Sequence, residues 1–188
     1  MNNGNEVTEK RINKVRRIVR YSVAVAASVL LIVACIVVYN FYRLSSDRLF
    51  AEKYSAFEST TIRIVNDSTE SKIEKAYREK NYAEVIKLNA TSVLSVKDIF
   101  LTAMSFLEIN DPSRAISNFQ IVIADVKDDK NSALKDTTEY YLALAYLKNN
   151  DYDQAIELMN TIRDNSLHQY KSKFSRKYIN KIKRLKWR

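Results

Sequence analysis

Residues 139–162 read EYYLALAYLKNNDYDQAIELMNTI, and residues 99–123 read IFLTAMSFLEINDPSRAISNFQIVI. Placed on Ala155 and Ala115, the two stretches align at a spacing of 40 residues. Phe106 matches Tyr146, Asp111 matches Asp151, and Arg114-Ala115-Ile116 matches Gln154-Ala155-Ile156. Phe119 matches Met159, and Val122 matches Ile162. Each copy predicts a helix, a short polar turn and a second helix. The surplus length lies in the polar stretch DVKDDKNSALKD. A small residue at Ala103 or Ala143 lets the paired helices approach, and Ala115 or Ala155 does the same early in the second helix. Phe106 or Tyr146 fills the groove near the turn. Each pair leaves an apolar face that only a neighbouring pair can cover, so the unit is expected to stack.

An earlier, degenerate copy is SKIEKAYREKNYAEVIKLN, residues 71–89. It places Ile73, Ala76 and Tyr77 on a first helix and Tyr82, Val85 and Ile86 on a second. Its turn reads one residue shorter, Val85 stands where Ala is expected, and the run Asn66-Asp67-Ser68-Thr69-Glu70 offers N-caps. About three such units are the minimum for a stable stack.

The pattern Leu142, Ala143, Tyr146, Asp151-Tyr152 and Ala155 resembles the tetratricopeptide repeat. The copy around Ala115 departs from it at Thr102 and Pro112, and Pro112 suits the first turn of a helix. The resemblance implies a concave groove lined by the first helices of successive repeats. On this alignment the groove holds Lys75, Arg78, Lys97, Phe100, Met104, Leu107, Tyr140, Leu144, Leu147 and Lys148. That mixture suits an extended or helical partner segment of some acidic character.

Composition narrows the chemistry. The 188 residues include one Gly, one Pro, one Cys and one His. A single Gly leaves no Gly-rich phosphate loop. A single Cys leaves no disulfide framework within the chain, and one Cys with one His leaves no zinc cluster. Few turn residues point to an all-α fold. No catalytic set emerges: His168 stands alone, and Asp128-Asp129 and Asp151/Asp153 fall in expected turns. A non-catalytic protein without cofactor or metal is expected.

The net charge of +9 is uneven. Residues 1–20 carry six Lys/Arg against two acids, residues 171–188 carry nine and no acid, and the body between is acidic. The basic character therefore belongs to the ends and does not indicate nucleic acid.

Tyr21–Tyr42 is 22 residues without a charge. As a helix it would reach about 33 Å, enough to cross the hydrocarbon core. Tyr21, Tyr39, Phe41 and Tyr42 stand at its edges, as an interfacial belt would. Six basic residues precede it and three follow within similar reach, which predicts a cytoplasmic N-terminus. The body then lies beyond the inner membrane, in a Gram-negative cell the periplasm. Ile32-Val33-Ala34-Cys35 also resembles a lipobox, but the apolar run continues through Ile36, Val37 and Val38, which favours a span.

The expected organisation is a basic cytoplasmic tail (1–20), a transmembrane helix (21–42) and a juxtamembrane linker or N-cap segment (43–66). About three repeats (67–166) and a basic amphipathic helix (167–188) follow. In the linker, Leu49, Phe50, Tyr54 and Phe57 predict a short amphipathic helix, and Thr60–Val65 reads as extended. In the last segment Tyr170, Phe174, Tyr178, Ile182 and Leu185 form one helical face, with Lys and Arg on the rest. That helix would cap the stack or meet anionic lipid, with Trp187 at the interface. The layout is similar to the ancillary subunit of the bacterial secretion translocon. A membrane-anchored scaffold for another envelope protein is the expectation, with a membrane-tethered regulator or a translocon-associated chaperone-like subunit as alternatives.

Overall fold

The computed structural model describes residues 21, 25–39, 44–58, 70–90, 94–126 and 132–187. It falls into two units, 1–44 and 45–188. In the first, residues 25–39 form helix α1, whose apolar side chains are exposed. Among the described residues no helix is long and apolar enough to cross a membrane. Residues 22–24 and 40–42, which would complete the expected span, lie outside the described ones, as does the tail 1–20.

The second unit is all-helical among its described residues. It holds α2 (Ser46–Lys53), α3 (Lys72–Arg78), α4 (Tyr82–Asn89), α5 (Val96–Glu108), α6 (Pro112–Asp125), α7 (Ser132–Lys148), α8 (Tyr152–Asp164) and α9 (Arg176–Lys186). Each of α3 to α9 packs on its neighbour in sequence, and α3, α5 and α7 also meet in a row. Three hairpins, α3/α4, α5/α6 and α7/α8, therefore stack with their first helices side by side.

The hairpins share one turn. Lys80, Asn110 and Asn150 adopt the left-handed conformation, with φ of 58°, 63° and 65°. The next residue then donates its N–H five residues back: Asn81 to Ala76, Asp111 to Phe106 and Asp151 to Tyr146. This bond satisfies a carbonyl that the ending helix leaves open. Asn81 and Asp111 then cap the second helix, accepting from the Glu84 and Arg114 amides. In all three copies three residues separate the helices, which corrects the expectation of a shorter first turn.

Val85, Ala115 and Ala155 occupy equivalent places and are fully buried, as are Ala103 and Ala143. The larger core side chains include Phe119, Met159 and Ile162 from the second helices. N-caps sharpen the helix starts: Ser71 accepts from the Glu74 amide, and Ser95 with Asp98 forms a reciprocal box. Ser71 Oγ also donates to Asp98 Oδ1 at 2.5 Å, tying the start of α3 to that of α5. The cap of α3 is thus Ser71, and the expected candidates Asn66–Thr69 lie outside the described residues.

The basic helix is shorter than expected. Tyr170 and Phe174 precede it in a run of turns, and α9 starts after the N-cap Ser175. Both aromatics still pack inward, each stacking on Tyr140. Tyr178, Ile179, Ile182 and Leu185 of α9 are buried, and the helix packs on α8 and α2.

Candidate functional site

The groove is lined by α3, α5 and α7, and it is occupied. Helix α2 packs on α7 and α9. Beyond it, residues 54–58 continue without regular structure along the first helices. The segment expected as a linker is thus part of the folded unit and lies along the stack rather than at its end.

Tyrosine hydroxyls hold this segment by its main chain. Tyr140 donates to the Lys53 carbonyl at 2.6 Å, Tyr141 to Ser55 at 2.9 Å and Tyr77 to Phe57 at 3.0 Å. Tyr178 of α9 donates to the Leu49 carbonyl at 2.6 Å. In the reverse sense, Tyr54 of the segment donates to Glu108 Oε1 at 2.6 Å. Burial raises the hydroxyl pKa of all five, that of Tyr141 to about 12, so each stays a donor through the physiological range. The Glu108 carboxylate beside Tyr54 adds to the shift there.

Apolar and charged contacts complete the site. The segment buries Leu49, Phe50 and Phe57. The Phe57 ring meets Phe100 edge-on at 4.9 Å and Tyr141 at 6.3 Å. Lys148 Nζ pairs with Asp47 at 2.5 Å and lies 5.3 Å from the Phe50 ring centre. Lys181 pairs with Glu52 at 3.0 Å, and Ser46 Oγ donates to Asn150 Oδ1 at 2.6 Å.

Of the ten residues expected to line the groove, Phe100, Met104, Leu107, Tyr140, Leu144 and Leu147 are buried. These six are packed positions of the folded unit. Phe100 and Tyr140 touch the segment directly, as does half-buried Lys148. Lys97 is half-buried and pairs with Glu74 at 2.7 Å. Lys75 and Arg78 are exposed, and Arg78 pairs with Glu70. Sequence reasoning missed Tyr77, Tyr141, Tyr178 and Glu108. The available signal was tyrosine on the first helices of a stack, Tyr77 on α3 and Tyr140, Tyr141 and Tyr146 on α7.

His168 is not alone. Buried under α7, its Nε2 lies 3.2 Å from Glu139 Oε2 and 3.5 Å from Asp136 Oδ1. These three could in principle surround a cation. The Tyr170 amide, which can only donate, points at Nδ1 from 3.1 Å. The ring proton therefore sits on Nε2, facing the carboxylates, where a metal would need a lone pair. The cluster fastens the turn after α8 to α7, an attachment reinforced by the Gln169 amide on Asp136 Oδ2 at 2.8 Å.

Stacked antiparallel helix pairs, with a buried small or β-branched residue at each equivalent crossing and one repeated turn, define an α-helical hairpin repeat protein. Residues 138–166, from mid-α7 through α8, match the tetratricopeptide repeat family, so this stretch of the chain carries a tetratricopeptide repeat. No curated protein and no solved structure matches it.

Proposed function

We propose that the chain is a non-catalytic, membrane-anchored scaffold of the bacterial cell envelope that binds another envelope or membrane protein through its repeat unit. The carrying observation is the row of three hairpins with the same turn, an architecture whose general use is protein binding. The 22 uncharged residues Tyr21–Tyr42 support insertion in the inner membrane, with α1 exposing its apolar side chains along the described part. The basic excess before this run supports a cytoplasmic N-terminus and an extracytoplasmic repeat unit. On α9 Lys177, Lys183 and Arg184 are exposed, as is Trp187 just after it, a surface suited to anionic lipid headgroups.

The test is made in cells on a Cys35→Ser/Ser172→Cys variant. Retention in the membrane after alkaline carbonate, with labelling of the new thiol by an impermeant maleimide in intact spheroplasts, is the expected result. Release by carbonate would refute anchoring, and labelling only after lysis would reverse the orientation. Crosslinking from intact membranes should then recover a protein partner, and recovery of none would count against the scaffold.

A further inference from the structure

The contacts between residues 45–57 and the stack are those of a ligand in a site. Among the described residues no backbone-to-backbone hydrogen bond joins this segment to the hairpins. The stack reads it instead through side chains. Tyr140, Tyr141 and Tyr77 take the carbonyls of residues 53, 55 and 57, every second one along the run. The first of these carbonyls ends α2 and the other two lie in the irregular run after it, so the hydroxyls hold main chain whatever its side chains. Specificity comes from few positions. Leu49, Phe50 and Phe57 are the buried anchors, and Asp47 and Glu52 meet Lys148 and Lys181. Ser45, Arg48, Ala51, Ser55 and Ala56 are exposed.

We propose that residues 45–57 act as a tethered ligand of the groove, exchangeable with a separate peptide that carries an acidic helical turn and the same aromatic spacing. This inference rests on the reading of the stack as a protein-binding module and adds the regulation of its site. The tether supplies the segment at a local concentration that a free peptide must exceed. While it is bound, Phe100, Tyr140 and Tyr141 are covered, and a partner reaches them only by displacing it.

The test uses the full chain and a fluorescein-labelled synthetic peptide of residues 45–58. Wild type is compared by anisotropy with a Phe50→Ala/Phe57→Ala variant, whose own segment has lost two anchors. The variant should bind the probe at least tenfold more tightly than wild type, and a Phe57→Ala probe should lose that binding. A variant that is folded by circular dichroism yet binds no better than wild type would overturn the proposal. Hydrogen exchange on wild type decides the matter independently, even where the variant fails to fold. Excess unlabelled peptide should speed exchange in residues 45–57 and leave α5 and α7 unchanged. Exchange of the segment only together with α5 and α7 would make it an integral part of the core and refute the proposal. The partner search described above does not depend on either outcome, so the two readings fail separately.

Discussion

Replacing Tyr77 by Phe removes one hydroxyl and leaves the ring in place. That hydroxyl donates to the Phe57 carbonyl in a buried setting. A neutral hydrogen bond contributes about 1 kcal/mol, and an acceptor left buried without a donor costs about 1–3 kcal/mol. The expected loss is about 2 kcal/mol. Tyr141→Phe removes a bond of similar length to the Ser55 carbonyl, but Ser55 is exposed and water can take the vacant place. Its expected loss is about 0.5 kcal/mol. The assay is native-state hydrogen exchange of the segment 45–58, which reports the free energy of its opening. Tyr77→Phe should accelerate that exchange about 30-fold and Tyr141→Phe about 2-fold, since each 1.4 kcal/mol is a factor of ten. Equal acceleration by the two variants would refute the assignment of burial as the deciding term.

Alkali offers a second test. Tyr54, half-buried, and the buried Tyr77, Tyr140, Tyr141 and Tyr178 have folded-state pKa values raised above the ordinary 10, chiefly by desolvation. Their contribution is therefore complete below pH 10 and is lost as pH rises toward the folded values, by up to about 1.4 kcal/mol per pH unit for each. Tyrosinate absorbance should show these five ionising together with loss of helix, and full titration of all 12 near pH 10 with helix intact would contradict this. Lys80→Gly relieves a left-handed turn and should raise stability in urea by about 1 kcal/mol, whereas no gain would mean the turn is unstrained. Ala155→Leu forces a larger side chain into a fully buried crossing and should cost about 1–3 kcal/mol in the same assay. Truncation after Ser175 removes the buried Tyr178, Ile179, Ile182 and Leu185 and should lower the melting temperature, and an unchanged value would show that α9 does not support the stack.

What the sequence made legible was local and periodic. Ala115 and Ala155 marked the crossings, and Pro112 marked the start of α6, because steric fit at a helix contact depends on residue type. The equal turns were harder to read. Asn110 and Asn150 tolerate a left-handed backbone, but Lys80 does not announce one, so the first turn was counted short. The four-residue spacing of Tyr170, Phe174 and Tyr178 suggested a continuous helix, yet turns can deliver the first two to the same core. The groove was expected along the first helices, and the segment 45–57 lies there in the structure. The amphipathic pattern of Leu49, Phe50, Tyr54 and Phe57 was visible, whereas its docking site is a long-range fact that no local spacing encodes. The same holds for His168, whose partners Asp136 and Glu139 lie about thirty positions away in sequence.

The three hairpins are unequal. Helices α3 and α4 have seven and eight residues, α5 and α6 have 13 and 14, and α7 and α8 have 17 and 13. In a linear array each unit holds by its own burial and by its contact with the next, so the smallest terminal unit is the first to melt. The array should therefore unravel from the α3/α4 end, with α7 and α8 as the last refuge of structure. The Tyr77–Phe57 bond acts as a clasp on that weak end, and its loss would be felt as fraying rather than collapse.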